Sequence, residues 1–478
     1  MPEASASTEV APMKSLTRRS FVQTAAAGLA APWALRAGLA EISTPPDLSL
    51  APFRFDVSPP IGHGCCGGWI KPIEAYDDPQ EAIGFVLLGA GRPIVICAVD
   101  WTGILNSAHV QFRSALADAA GTTPERVAVQ CVHQHNAPFV CLEAQRIVDE
   151  QGDLPHIMDV DFFNRCLDAG RRSIRTALPR ARPVTHIATG QARVEKVAGN
   201  RRMIGPDGRV QAMRGSSSTD PVLRALPEGL IDPFLKTVAF YDGETKLAAC
   251  HYYACHPMSY YGDGRASADF CGLARRQREQ EEPGCTHIYF NGCGGNIGAG
   301  KYNDGSKEMR PVLTQRMYDA IVASEKTLER ERITTANWTT REILPPTDPR
   351  WDAEAIMRQI SDKSQAVVNR NRPAYTVAWI RRREEGIPIV LNGLHLNETS
   401  LLHLPAESFV EYQLEAQASA PDRFITCAAY GDGGPWYIPT EESYPQGGYE
   451  VSVAWCAPQV DPILSEGVQT LLEASRQS

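Results

Sequence analysis

Short apolar or β-branched runs, each cut off by a polar or glycine-rich turn and separated by longer amphipathic stretches, follow one another from Ala51 onward. This alternation constrains the fold more than any other feature, because short apolar runs bounded by turn signals read as strands and longer 3.6-periodic stretches read as helices. Residues 93–99 (PIVICAV) read as a buried strand, 106–119 as a helix and 127–132 as a second strand, which is α/β order. Residues 161–178 place Phe162, Cys166 and Ala169 at helical spacing. The runs 237–241 and 247–254 flank Asp242-Gly243-Glu244-Thr245, a hairpin signal, so antiparallel pairing is mixed with crossovers. Helices are predicted over 269–280, 311–325 and 352–369, and a strand over 287–290. No internal repeat or low-complexity linker interrupts the series. The expected fold is therefore α/β, with mixed β-sheets flanked by helices in one large domain over 48–478. Residues 205–228, rich in Gly, Ser and Pro, are predicted to form a long surface loop bordering a substrate cleft.

Composition narrows the function. Of 478 residues, 43% are apolar and 22% charged, which excludes a disordered or collagen-like chain. The net charge is −9 and no block of Lys and Arg stands out in the body of the chain, so nucleic acid is not an expected partner. The 13 cysteines are scattered singly apart from Cys65-Cys66 and form no CxxC pair, which argues for buried thiols over a zinc ribbon or a disulfide framework. Residues 1–40 read as a twin-arginine-type export signal: Thr17-Arg18-Arg19-Ser20-Phe21-Val22, an Ala-rich apolar run over 24–35, then the small residues Gly38 and Ala40. A periplasmic or secreted location is expected. No segment is long and apolar enough to anchor the mature chain in a bilayer.

Several predicted strands end in chemistry-bearing residues. Residues 127–132 run into His133-Gln134-His135, where positions i and i+2 of an extended chain share a face and both imidazoles can enter one cavity. A lone HxH equally fits a histidine that satisfies a buried carbonyl. Residues 247–255 end at His256-Pro257, which also fits a loop-bonded histidine. Residues 287–290 run into Asn291-Gly292-Cys293-Gly294-Gly295-Asn296-Ile297-Gly298, a turn dense enough in glycine to admit close backbone approach or to offer N–H groups to an anion. It lacks the spacing and the lysine of a P-loop, so nucleotide binding is not expected. Leu404-Pro405-Ala406-Glu407 precedes a helical stretch to Ala418 and is predicted to put Glu407 in the first turn. Asp100 closes the strand over 94–99, either orienting a ligand histidine or capping the strand. A last strand, 424–429, leads into Gly431-Asp432-Gly433-Gly434-Pro435-Trp436-Tyr437.

The succession VHQHNAP, ACHP, SADFCG, NGCGGNIG, LPAE and YIPTEESYPQGGYE, in this order and over about residues 52–460, resembles the catalytic domain of the neutral/alkaline non-lysosomal ceramidases. The opening VSPPIGHG and Asp77-Asp78-Pro79 also fit that domain. The resemblance implies one zinc ion held by His133, His256, Glu407 and Tyr437, catalysis by His135, and substrate contact by Arg201, which follows Asn200 as in that family. Two imidazoles, a carboxylate and a phenol form an N/O set suited to zinc, which lowers the pKa of water from about 15.7 to about 7. The implied activity is hydrolysis of an amide bond of ceramide or another N-acyl compound, with a small-molecule or lipid-like substrate. An ester-cleaving zinc hydrolase and a ligand-binding protein with a vestigial site are the other readings. The sequence departs from the family pattern at Asn296 and Gly298, where the family carries an aspartate and a serine, at Ala406, where it carries glycine, and at Gln134, where it carries threonine. With the sequence ending soon after GGYE, the family's immunoglobulin-like C-terminal domain is not expected.

Overall fold

In the computed structural model, which describes residues 47–475, the predicted strands assemble into three mixed sheets built on one plan. The first sheet contains β1 (Leu48–Asp56), β2 (Glu81–Gly89), β3 (Gly91–Val99), β4 (Val127–Cys131) and β5 (Arg182–Val184), in the order β4-β3-β2-β1-β5. The second contains β6 (His186–Arg193), β7 (Phe234–Asp242), β8 (Thr245–Tyr253), β9 (Thr286–Asn291) and β10 (Glu329–Arg332), in the order β9-β8-β7-β6-β10. Next along the chain come β11 (Ala336–Ile343), β12 (Ile389–Leu396), β13 (Thr399–His403), β14 (Glu407–Ser408), β15 (Phe424–Ala428) and β16 (Tyr437–Ile438). Of these, β11-β12-β13-β15 form the third sheet, and β14 pairs with β16.

In each sheet an antiparallel hairpin is followed by a helical crossover to a parallel edge strand. The crossover helices are α1 (Ser107–Ala120) between β3 and β4, α2 (Asp269–Glu281) between β8 and β9, and α3 (Val410–Ser419) between β13 and β15. No sequence repeat announces this recurrence. Its consequence is positional, because ligand sites in sheets with parallel strands gather beyond the carboxyl ends of those strands. His133 lies just past β4, His256 just past β8 and Glu407 just past β13.

The first sheet is buried on both faces, and its sequence is near-continuously apolar for that reason. Along β3, Ile94, Ile96 and Ala98 join the core shared with the second sheet, while Val95, Cys97 and Val99 join the core under the helices. Phe85 of β2 meets Phe240 of β7 with ring centroids 5.2 Å apart. Each such fully buried ring contributes roughly 1.5–3 kcal/mol.

Three expectations need correction. The helix predicted over 352–369 is broken into Ala353–Ser361 and Val367–Asn371, because Asp362 accepts hydrogen bonds from the Ser364 N–H and hydroxyl and turns the chain. Glu407 is on strand β14, not in the first turn of α3, which starts only at Val410. The predicted loop over 205–228 carries a hairpin arm (Val210–Met213) and a short helix (Pro221–Ala225). Among the described residues no helix is long and apolar enough to cross a membrane. The export signal read at 1–40 lies outside the described residues.

Candidate metal centre

Six residues singled out from the sequence, His133, His135, Arg201, His256, Glu407 and Tyr437, line one cavity. The ligand atoms of His133, His135 and His256 lie within 4.8 Å of one another. Glu407 Oε2 stands 3.4 Å from His133 Nε2 and 3.1 Å from His256 Nε2, and the Tyr437 hydroxyl stands 3.5 Å from His256 Nε2. Glu407 and Tyr437 are direct cross-strand partners in the β14–β16 pair, which explains how residues thirty positions apart in sequence present side by side.

Each imidazole is fixed from behind. His133 Nδ1 donates to the Thr102 carbonyl (2.6 Å), and its ring stacks on Tyr430 with centroids 4.3 Å apart. His256 Nδ1 donates to the carbonyls of Gly294 (2.8 Å) and Ile297 (3.0 Å). A carbonyl only accepts, so both Nδ1 atoms carry the ring proton, and in neutral rings both Nε2 atoms are bare lone pairs. Burial pushes the His256 imidazole down to about 4, against the pull of Glu407, so that ring is neutral at neutral pH. With both rings neutral, the centre sets Glu407 against two imidazole lone pairs. His133 Nε2, Glu407 Oε2 and His135 Nδ1 are all buried without a hydrogen-bond partner. Converging buried acceptors repel one another unless a cation lies among them, and this N/O donor set fits zinc.

Arg201 enters from the side. Its Nη1 lies 3.2 Å from the Tyr437 hydroxyl and 3.3 Å from His256 Nε2, and its Nε lies 3.3 Å from Glu450, which is fully buried and also pairs with Arg202. The guanidinium therefore supplies part of the positive charge the acceptors call for, and Glu450 holds it in place while also pairing with Arg202.

The glycine-dense turn works by close backbone approach. A Cβ on Gly295 would meet the Glu407 carbonyl at 2.2 Å, and Gly295 N–H donates to the Ser408 carbonyl. Asn296 is a structural cross-link: Oδ1 accepts from the Val410 N–H at the start of α3, and Nδ2 donates to Glu411. At Gly298 a Cβ would crowd the Gly215 carbonyl (3.1 Å) and the Ser216 backbone (3.2 Å). The chain over 215–217 fills that space and brings Ser216 and Ser217 to the wall of the same cavity. Asp100 does not touch a ligand histidine. It accepts from the Glu81 N–H and from Gln134, so it holds the middle residue of the HxH segment and closes the strand end. All 13 cysteines are free and buried.

The sequence reading missed Tyr430, Glu450, Tyr449 and Arg372, all in or beside the site. Of these only Tyr430 carries a mark in the backbone: with Cys66, His133, Ala406 and Trp436 it is one of five non-glycine residues with positive φ that surround this centre. Such strain clusters at functional sites. Ala406, at φ 49°, shows why the related pattern has glycine there.

Comparison with solved structures places the fold. The chain matches the neutral ceramidase from Pseudomonas aeruginosa with a TM-score of 0.65 and 17% identity, over 90% of this chain and 74% of that one. It matches a ceramidase complexed with C2 with a TM-score of 0.66 and 16% identity, over 90% and 75%. No family model and no curated protein matches the sequence. The protein thus has the neutral ceramidase fold, as the motif succession led us to expect.

Proposed function

We propose that the protein is a zinc-dependent hydrolase that cleaves an amide bond of ceramide or another N-acyl compound. His133, His256, Glu407 and Tyr437 would hold the metal. The observation that carries this reading is the set of buried, unpartnered acceptors on His133 and Glu407 around a His256 whose remaining lone pair faces the same point. When bound there, zinc supplies Lewis acidity that polarises a carbonyl and lowers the pKa of water to about 7. The chain's own residues do the rest. His135, its ring 4.8 Å from that of His133 and its Nδ1 unpartnered, takes the proton from the attacking water and returns it to the leaving amine. Arg201 directs Nη1 at the Tyr437 hydroxyl and is placed to steady negative charge developing on the carbonyl oxygen. The substrate lies in a cavity of about 580 Å³ whose walls include Trp69, Ile70, Phe139 and Trp436, an apolar surface fitting an acyl chain. The domain over 48–478 acts as one catalytic unit, exported by the twin-arginine route.

The test is an activity screen of N-acyl amides, ceramide included, and acyl esters, with and without a chelator. Chelator-sensitive amide cleavage is expected. Cleavage of esters alone would replace the amidase with an esterase, and zinc binding with no hydrolysis of either class would favour a binding protein. Accumulation of the full-length chain in the cytoplasm with residues 1–40 uncleaved would contradict export.

A further inference from the structure

Arg372 is the one cation of this cavity that the site described above leaves unused. It sits at the junction between the helices Val367–Asn371 and Pro373–Glu384 and lines the same cavity as His133, His135 and His256. Its guanidinium carbon lies 4.7 Å from the ring centroids of both Trp69 and Trp436, which stack on each other at 5.0 Å. Nη2 donates to the Tyr449 hydroxyl at 3.1 Å. The arginines on either side differ: Arg370 is held by Asp153 and Arg382 by Asp432 at 2.7 Å. Arg201, the other cation of the cavity wall, is paired with Glu450, which it shares with Arg202. Among the described residues Arg372 forms no ion pair with a carboxylate. Its planar fork is held by two indoles and a phenol, a surface that fixes its orientation while leaving most of its donors free.

A guanidinium without a carboxylate partner, oriented by Trp69, Trp436 and Tyr449 in the wall of this cavity, matches a planar anion with two acceptor oxygens. We propose that Arg372 is an anion subsite, and that the substrate is an N-acyl compound bearing a carboxylate on its non-reacting part, in place of a neutral lipid. The assignment rests on the hydrolase reading for the nature of the bond cleaved, but the subsite itself does not depend on turnover. Tyr449 orients Arg372 and links the subsite to the metal centre, since its ring lies 5.8 Å from that of Tyr437.

The test is calorimetric titration of the metal-stripped protein, in chelator, with decanoate, decanol and decyl phosphate. Decanoate is expected to bind about ten- to a hundredfold more tightly than decanol, the worth of charge-assisted hydrogen bonds. In Arg372→Ala that ratio is expected to fall to about one, and in Arg372→Lys, which keeps the charge, to recover in part. Equal affinities in the unaltered protein, or a preference that survives Arg372→Ala, would overturn the proposal. A decyl phosphate affinity more than about tenfold above that of decanoate would overturn the carboxylate class. No catalysis enters the readout. A protein that hydrolyses nothing yet shows the preference defeats the hydrolase reading alone, and an active protein without it defeats only the subsite.

Discussion

Two histidine clusters stand on the second sheet and its margins, and their difference is instructive. Besides the centre at His133, His256 and Glu407, β8 and β9 carry His251 and His287, which gather with Glu325, and His287 with Glu282 and Cys285, again with ligand atoms close enough to hold a metal. In this second cluster the hydrogen bonds run in one direction. The Thr237 hydroxyl meets His251 Nδ1 at 2.9 Å, His251 Nε2 meets His287 Nδ1 at 2.9 Å, and His287 Nε2 meets Glu282 at 3.1 Å. Glu282 accepts, so every tautomer follows from it, and each ring nitrogen has one donor facing one acceptor. Lys246 and Arg278 neutralise Glu282 and Glu325. In the first cluster both ring protons point away to carbonyls and the lone pairs collide. A metal centre is marked by the acceptors left over after the protons are placed, not by the number of histidines.

The largest expected separation between the clusters is catalytic. His135→Ala should lower kcat by about 10²- to 10⁴-fold with the fold intact, whereas His251→Ala should leave kcat nearly unchanged in the fraction that folds; steady-state kinetics on the same N-acyl amide compare them. Stability should separate them the opposite way. His287→Ala leaves His251 and Glu282 without their partner and should lower unfolding free energy by about 1–3 kcal/mol in denaturant titration.

The second cluster also carries a pH signature. Burial alone would raise the Glu282 carboxyl, but hydrogen bonds from His287 and Lys246 and the charges of Lys246 and Arg278 bring it down to about 2. Its contribution is therefore complete above the unfolded carboxyl pKa of about 4.5 and is lost as pH falls toward about 2. Melting temperature measured from pH 6 down to pH 2 should drop across that window, and the drop should be shallower in Glu282→Gln. The smallest expected effect tests the strain around the first centre. Ala406→Gly relieves a left-handed alanine and should be neutral or stabilising by no more than about 1 kcal/mol, read as a slightly raised Tm.

Much of the fold was legible because its signals are local. The apolar run that became β3, the Asp-Gly turn of the β7–β8 hairpin and the periodicity of α1 act through nearest neighbours. The candidate ligands His133 and His256 were legible as polar residues ending apolar strands. What escaped the sequence depends on pairing between distant segments. Glu407 was read into a helix because only its parallel partner Tyr437 makes that segment a strand. Of the two roles open to Asp100, the strand-end cap is the one the structure shows, and the side chain it reaches is Gln134. The second cluster was invisible because His251 and His287 meet only through the parallel β8–β9 register, where His251 pairs with Tyr289. Arg372 carried no sequence signal, since its partners Trp69, Trp436 and Tyr449 come from three separate loops and helices.

The central claim is that unpartnered acceptors, and not histidine number, define the metal centre. Zinc content after dialysis against a zinc buffer, measured by mass spectrometry on the unaltered protein, His256→Ala and His287→Ala, tests it most directly. The expected result is about one zinc per chain in the unaltered protein and in His287→Ala, and close to none in His256→Ala. Zinc retained by His256→Ala and lost from His287→Ala, or no zinc taken up by the unaltered protein, would contradict the claim.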